Sequence, residues 1–132
     1  MTQHLHWIGV LLIALASVHV IFPKYFDWKR DLAALQLINR QVMYVHTFFV
    51  ALVVALMGIL CLLAADELVS TKLGQMVCVG LGIFWGCRLF VQFFVYSPRL
   101  WIGKRFETLV HVVFSATWIY LTWVFLWVGL SI

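Results

Sequence analysis

Three histidines, an arginine and a glutamate stand in or at the ends of long apolar runs: His19, His46, His111, Arg88 and Glu107. Imidazole nitrogens ligate haem iron, zinc and non-haem iron, and a guanidinium pairs with carboxylate or phosphate. His46 and His111 could supply the two axial nitrogens that a b-type haem needs. Arg88, Arg40 or Lys104 could pair its propionates, and Tyr44 or Gln92 could add hydrogen bonds. The first expectation is therefore a small membrane redox protein holding haem b, with quinone as its lipid-soluble partner. His19 has no part in that arrangement.

A second expectation is a non-haem centre. Neutral His19, His46 and His111 with Glu107 would give three nitrogens and one oxygen, a set that suits zinc or iron acting on a lipidic substrate. No His-x-x-x-His or Glu-x-x-His pair supports it, and Glu107 with His111 is the one helical i,i+4 pair. A third expectation needs no cofactor: Arg88, Arg40 and the histidines hold an anionic or quinone headgroup in a transporter, a receptor or a subunit of a larger complex. A fourth is structural, with Trp-rich, Gly-faced helices packing against membrane partners or further copies of the chain. Any one of these histidines is explained as well by a bond to a nearby carbonyl or by contact with the headgroups. Their grouping is what favours a site.

The elements that must position them follow from composition. A chain of 132 residues that is 65% hydrophobic and 11% charged lacks the polar side chains to cover a globule in water. Lipid must cover it. The length suits a single domain, residues 1–132, of four transmembrane helices in an up-and-down antiparallel bundle. The spans are read from about Leu5 to Phe22, Gln41 to Ala65, Leu73 to Tyr96 and Phe106 to Gly129. The first apolar run lacks the charged start and cleavage site of a signal peptide and is expected to be retained. Pro23 closes it. From Lys24 to Arg40, Tyr25, Trp28, Leu32 and Leu35 recur at helical spacing against Asp27, Arg30, Asp31 and Gln36, which predicts an amphipathic interfacial helix between the first two spans. Cys78, Gly82 and Gly86 repeat every four residues on one face of span three, and Arg88 and Gln92 start about 200° around from Gly86.

Lysine and arginine cluster after spans one and three, at Lys24, Lys29, Arg30 and Arg40 and at Arg99, Lys104 and Arg105. By the positive-inside rule those loops face the cytoplasm and both termini lie outside it, which fits a bacterial inner membrane. The cations form no continuous stripe, so nucleic acid is not an expected partner. Counting from the cytoplasmic helix ends puts His19, His46 and His111 roughly 6, 8 and 9 Å deep, with Arg88 at about 12 Å and able to reach back. One layer therefore gathers polarity that hydrocarbon would reject singly. His4 and His6 read as interfacial, and Trp7, Trp101, Trp123 and Trp127 as headgroup-level anchors. Cys61 and Cys78 flank the outer hairpin, where either a disulfide or two inert thiols would fit, with Cys87 unpaired.

The layout combines a first-helix histidine, His19, an Arg-led second helix after Arg40 and a short basic turn, Lys104-Arg105, before the fourth. In this it resembles small haem-binding membrane proteins, including the protoporphyrinogen oxidase type. The resemblance is one of architecture and implies no catalytic residue.

Overall fold

The computed structural model describes residues 1–131, and all of the regular structure among them is helical. In chain order the helices are α1 (Thr2–Val18), α2 (Phe22–Tyr25), α3 (Trp28–Asp31), a 3-10 turn (Leu32–Ala34), α4 (Leu37–Leu63), α5 (Ala65–Ser70), α6 (Lys72–Phe94), a second 3-10 turn (Pro98–Leu100) and α7 (Arg105–Leu130). Helices α4, α6 and α7 are long and apolar enough to cross a membrane, and α1 is a shorter apolar helix. Only 17, 22 and 28% of their most apolar stretches are buried within the protein. That much outward-facing apolar surface requires lipid, so this is an integral membrane protein.

Two compact units make up the chain: Gln3–Ala65, and Met1–Thr2 with the chain from Asp66 onward. In the first, α1 and α4 cross at two glycines. A Cβ at Gly9 would lie 2.6 Å from Leu62 Cγ and 2.8 Å from the Gly58 carbonyl oxygen, and one at Gly58 would lie 2.9 Å from Ile13 Cγ1. Backbone contact this close needs a missing side chain on both helices, the usual device for packing helices in lipid. The partners descend along α4 as they ascend along α1, so the pair runs antiparallel.

In the second unit α6 and α7 also run antiparallel. Gln75 Nε2 donates to the Ser131 carbonyl at 2.6 Å, Val79 faces Gly129 and Gly82 faces Leu126, Trp85 stacks on Trp118, and Gln92 meets His111. Of the small-residue face expected on span three, Gly82 is the tight position, where a Cβ would come within 2.5 Å of Leu126 Cδ2. Gly86 leaves ordinary contact distance, 3.6 Å, to Thr122. Leu121, Val124 and Phe125 of α7 are fully buried.

Several expected boundaries move. Helix α1 ends at Val18, four residues before Phe22, and the chain tightens into i→i+3 bonds from His19 to Ala16 and from Val20 to Ser17. Pro23 does not stop that helix; it lies in the first turn of α2, where its missing N–H costs nothing. The interfacial helix expected over Lys24 to Arg40 is broken into α2, α3 and a 3-10 turn. Asp27 adopts the left-handed region at φ 52°, which interrupts the i→i−4 ladder, and Leu35 is extended. Helix α4 consequently starts at Leu37 and not Gln41. The connection between α4 and α6 contains α5, after which Thr71 Oγ1 caps α6 by accepting from Gly74 N at 2.9 Å. Neither Cys61 nor Cys78 forms a disulfide; both are buried thiols.

Candidate functional site

Arg88 and Gln92 stand one turn apart on α6, and His111, Ser115 and Trp118 follow one face of α7 at i, i+4 and i+7. The antiparallel crossing brings these faces together. Arg88 Nη1 donates to Gln92 Oε1 at 3.2 Å, and Trp118 Nε1 donates to the same oxygen at 3.4 Å. Gln92 Nε2 lies 2.8 Å from His111 Nδ1. Gln92 is 6% exposed and Trp118 3%.

The direction of every bond in this network is fixed by its donors. Guanidinium and indole can only donate, so Gln92 must turn its oxygen to them and its NH2 to His111. His111 Nδ1 therefore accepts, and the neutral ring keeps its proton on Nε2. Aromatic rings close the cluster. The Arg88 guanidinium lies 4.9 Å from the Trp118 ring centroid and 5.3 Å from that of Tyr96. Trp118 stacks with Trp85, at 5.2 Å, and with Phe114, at 5.5 Å. His111 stacks on Trp101 at 3.8 Å with 13° between the rings.

Trp101 reaches His111 because the α6–α7 connection is bonded into shape. Ser97 Oγ accepts from Arg99 N, Thr108 Oγ1 donates to the Trp101 carbonyl at 2.5 Å, and Gly103 makes the turn at φ 78°. Trp101 thus packs on His111, whereas Trp7, Trp123 and Trp127 have the exposure of headgroup-level anchors.

An arginine inside hydrocarbon costs about 2.5–3.5 kcal/mol by insertion scales, and a cation–π contact returns about 0.5–2 kcal/mol. Two such contacts and one hydrogen bond make Arg88 tolerable without neutralising it. No carboxylate pairs with it among the described residues, where the ion pairs join Arg30 to Asp27 and Asp31. Two buried polar atoms of the same unit, Trp85 Nε1 and Ser115 Oγ, have no hydrogen-bond partner. Buried groups of this kind are commonly satisfied by water or a ligand.

The remaining candidates are placed differently. His19, Arg40, Tyr44 and His46 belong to the α1–α4 unit, whereas Arg88, Gln92, Glu107 and His111 belong to the α6–α7 unit. His46 and Tyr44 are exposed on α4, Arg40 is half-buried in its first turn, and Glu107 is exposed in the first turn of α7. Among the described residues no three His, Cys, Asp or Glu side chains gather into a group able to hold a metal. A histidine that ligates through Nε2 ordinarily donates its Nδ1–H to an acceptor. His111 has the reverse arrangement, and turning Gln92 over would set its NH2 against Arg88 and Trp118.

Trp118, Trp85 and Tyr96 were missed as site residues, although Trp118 lies at helical spacing from His111 and Trp85 one turn before Arg88. No protein-family model, no curated protein and no solved structure matches the chain.

Proposed function

We propose that this chain binds the anionic headgroup, carboxylate or phosphate, of a membrane-dissolved ligand at Arg88, with Gln92, His111 and Trp118 holding the guanidinium in place. The observation that carries this is a polar cluster with unused donors on the remaining Arg88 N–H groups and His111 Nε2–H, around a cation that has no carboxylate partner among the described residues. Such a cluster is complementary to an acceptor bearing negative charge. The orphaned Trp85 N–H adds a further donor to the same aromatic stack.

The wider setting that suits this reading is a four-span antiparallel bundle in a bacterial inner membrane. Helix α1 would extend across through the turn at 19–21, and both termini would lie outside the cytoplasm. The basic residues Lys104 and Arg105 beside the cluster then face the cytoplasmic leaflet, where anionic lipids concentrate. Haem b on His46 and His111, or zinc or iron there, is the competing occupant. It would require His111 to give up its Nε2 proton and Gln92 to turn against two donors, and the anion requires neither. Quinone offers acceptors without charge and would leave Arg88 uncompensated.

The test uses the full chain in nanodiscs. Wild type should retain phosphatidylglycerol over phosphatidylcholine, or bind dodecanoate, at least about tenfold more tightly than Arg88→Leu, as loss of a charge-assisted bond implies. Retention of phosphatidylglycerol identifies a lipid headgroup as the source, and dodecanoate binding a free lipophilic acid. Arg88→Lys should keep part of the preference. Equal affinity in wild type and Arg88→Leu, with both helical and inserted, would reject the reading. A Soret band lost in His111→Ala would transfer the site to haem.

A further inference from the structure

A groove of about 470 Å³ opens between α1 and α4, within the first unit, and is walled by His19, Trp28, Tyr44, Thr47, Ala51 and their apolar neighbours. Three of its polar groups share a property that appears only when each hydrogen is traced. Ser17 Oγ donates to the Ile13 carbonyl at 2.9 Å, Thr47 Oγ1 to the Met43 carbonyl at 2.8 Å, and His19 Nδ1 to the Leu15 carbonyl at 2.9 Å. A carbonyl oxygen can only accept, so Nδ1 carries a proton, and in the neutral form of the ring Nε2 is the nitrogen with a lone pair. Both hydroxyls have spent their hydrogens in the same way. Ser17, His19 and Thr47 are thus left with acceptors alone, in a groove whose donors are the Tyr44 hydroxyl and the Trp28 indole N–H.

We propose that this groove is a second ligand site, taking the ring and hydroxyl of a neutral lipophilic phenol, with His19 Nε2 accepting the phenolic O–H. Neutrality follows from the lining, in which no charged side chain takes part. The ring is matched by an aromatic wall, Trp28 and Tyr44 meeting edge to face at 5.5 Å, with Phe48 beside them. The volume falls within the range of about 300–1,000 Å³ usual for small-molecule sites and holds one ring with the start of a tail. An acyl chain would fill the same space and leave every acceptor unanswered. The proposal stands apart from the Arg88 reading, since it uses neither that cluster nor any anion.

The probe pair is 4-nonylphenol and its methyl ether, which differ by the donor alone, titrated into the full chain in phosphatidylcholine nanodiscs with 15N-labelled histidine. Wild type should bind the phenol about tenfold more tightly than the ether, and the Nε2 resonance of His19, assigned by its loss in His19→Gln, should move on binding. His19→Phe should bring the two affinities together, and Ala51→Phe, which fills the groove, should weaken both. The proposal is overturned if wild type binds phenol and ether equally, if the preference survives in His19→Phe, or if Ala51→Phe changes neither affinity.

Discussion

His19 and His111 are both half-buried and both bonded through Nδ1, yet their rings are polarised in opposite senses. His19 Nδ1–H donates a hydrogen bond to a carbonyl, so its free nitrogen accepts; His111 Nδ1 accepts one from the Gln92 amide, so its free nitrogen donates. The cause is what each ring meets. A backbone carbonyl one turn back is available to any histidine on a helix, whereas the Gln92 amide is turned by two donors, Arg88 and Trp118, reaching it from α6 and α7. The difference teaches that an intramembrane histidine is assigned by the group behind it and not by its depth.

The strongest way to break the comparison is Gln92→Glu. A carboxylate accepts from Arg88 and Trp118 as the amide does but has no hydrogen for His111, so Nδ1 must become the donor and His111 should take the tautomer of His19. It also places a negative charge beside Arg88. At an effective dielectric near 20 that attraction is worth about 4 kcal/mol at 4 Å, enough to remove the preference for an external anion. 15N shifts of the His111 ring should report Nδ1–H in place of Nε2–H, and phosphatidylglycerol retention should fall to the level of Arg88→Leu. An unchanged His111 tautomer would show that Gln92 does not set it.

What the sequence made legible follows the same division. Arg88, Gln92 and His111 could be drawn together by counting residues from helix ends, because depth in a membrane follows directly from helical rise. Ring polarity was not legible, since it depends on Trp118 meeting Gln92 across the α6–α7 pair, and a crossing is decided by packing. The same limit applied to the small residues. Cys78, Gly82 and Gly86 form a visible periodic face, but Gly9 and Gly58 are single glycines on separate helices whose meeting no spacing announces. Between Lys24 and Arg40 the period of apolar residues indicated a helix, and one residue, Asp27 in the left-handed region, divided it. Periodicity records which face is apolar and is silent about where the backbone turns.

The two crossings sharpen the comparison at a lower energy. Gly58→Leu and Gly82→Leu each force a side chain into a contact with no room for it, and overpacking of this kind costs about 1–3 kcal/mol. The consequences should separate by unit. Gly82→Leu presses on Leu126 and should disturb the Arg88–Gln92–His111 network, whereas Gly58→Leu presses on Gly9 and Ile13 and should disturb the groove. Unfolding in mixed micelles measures the cost, and the 15N spectra of His111 and His19 locate it. Movement of His19 in Gly82→Leu without movement of His111 would contradict the assignment.

The smallest expected effect is that of Thr47→Val. The replacement keeps the shape of the side chain and removes one acceptor from the groove together with the local bond to Met43. That bond serves the hydroxyl itself, and the Met43 carbonyl keeps its helical bond from the backbone N–H of residue 47, so removing the hydroxyl is close to neutral for folding. The phenol-to-ether ratio should be nearly that of wild type, because His19 Nε2 remains the only nitrogen acceptor among the groove's side chains and Thr47 offers a weaker oxygen lone pair. A drop in that ratio as large as in His19→Phe would mean that the hydroxyl, and not the imidazole, receives the proton, and would move the acceptor of the first unit from α1 to α4.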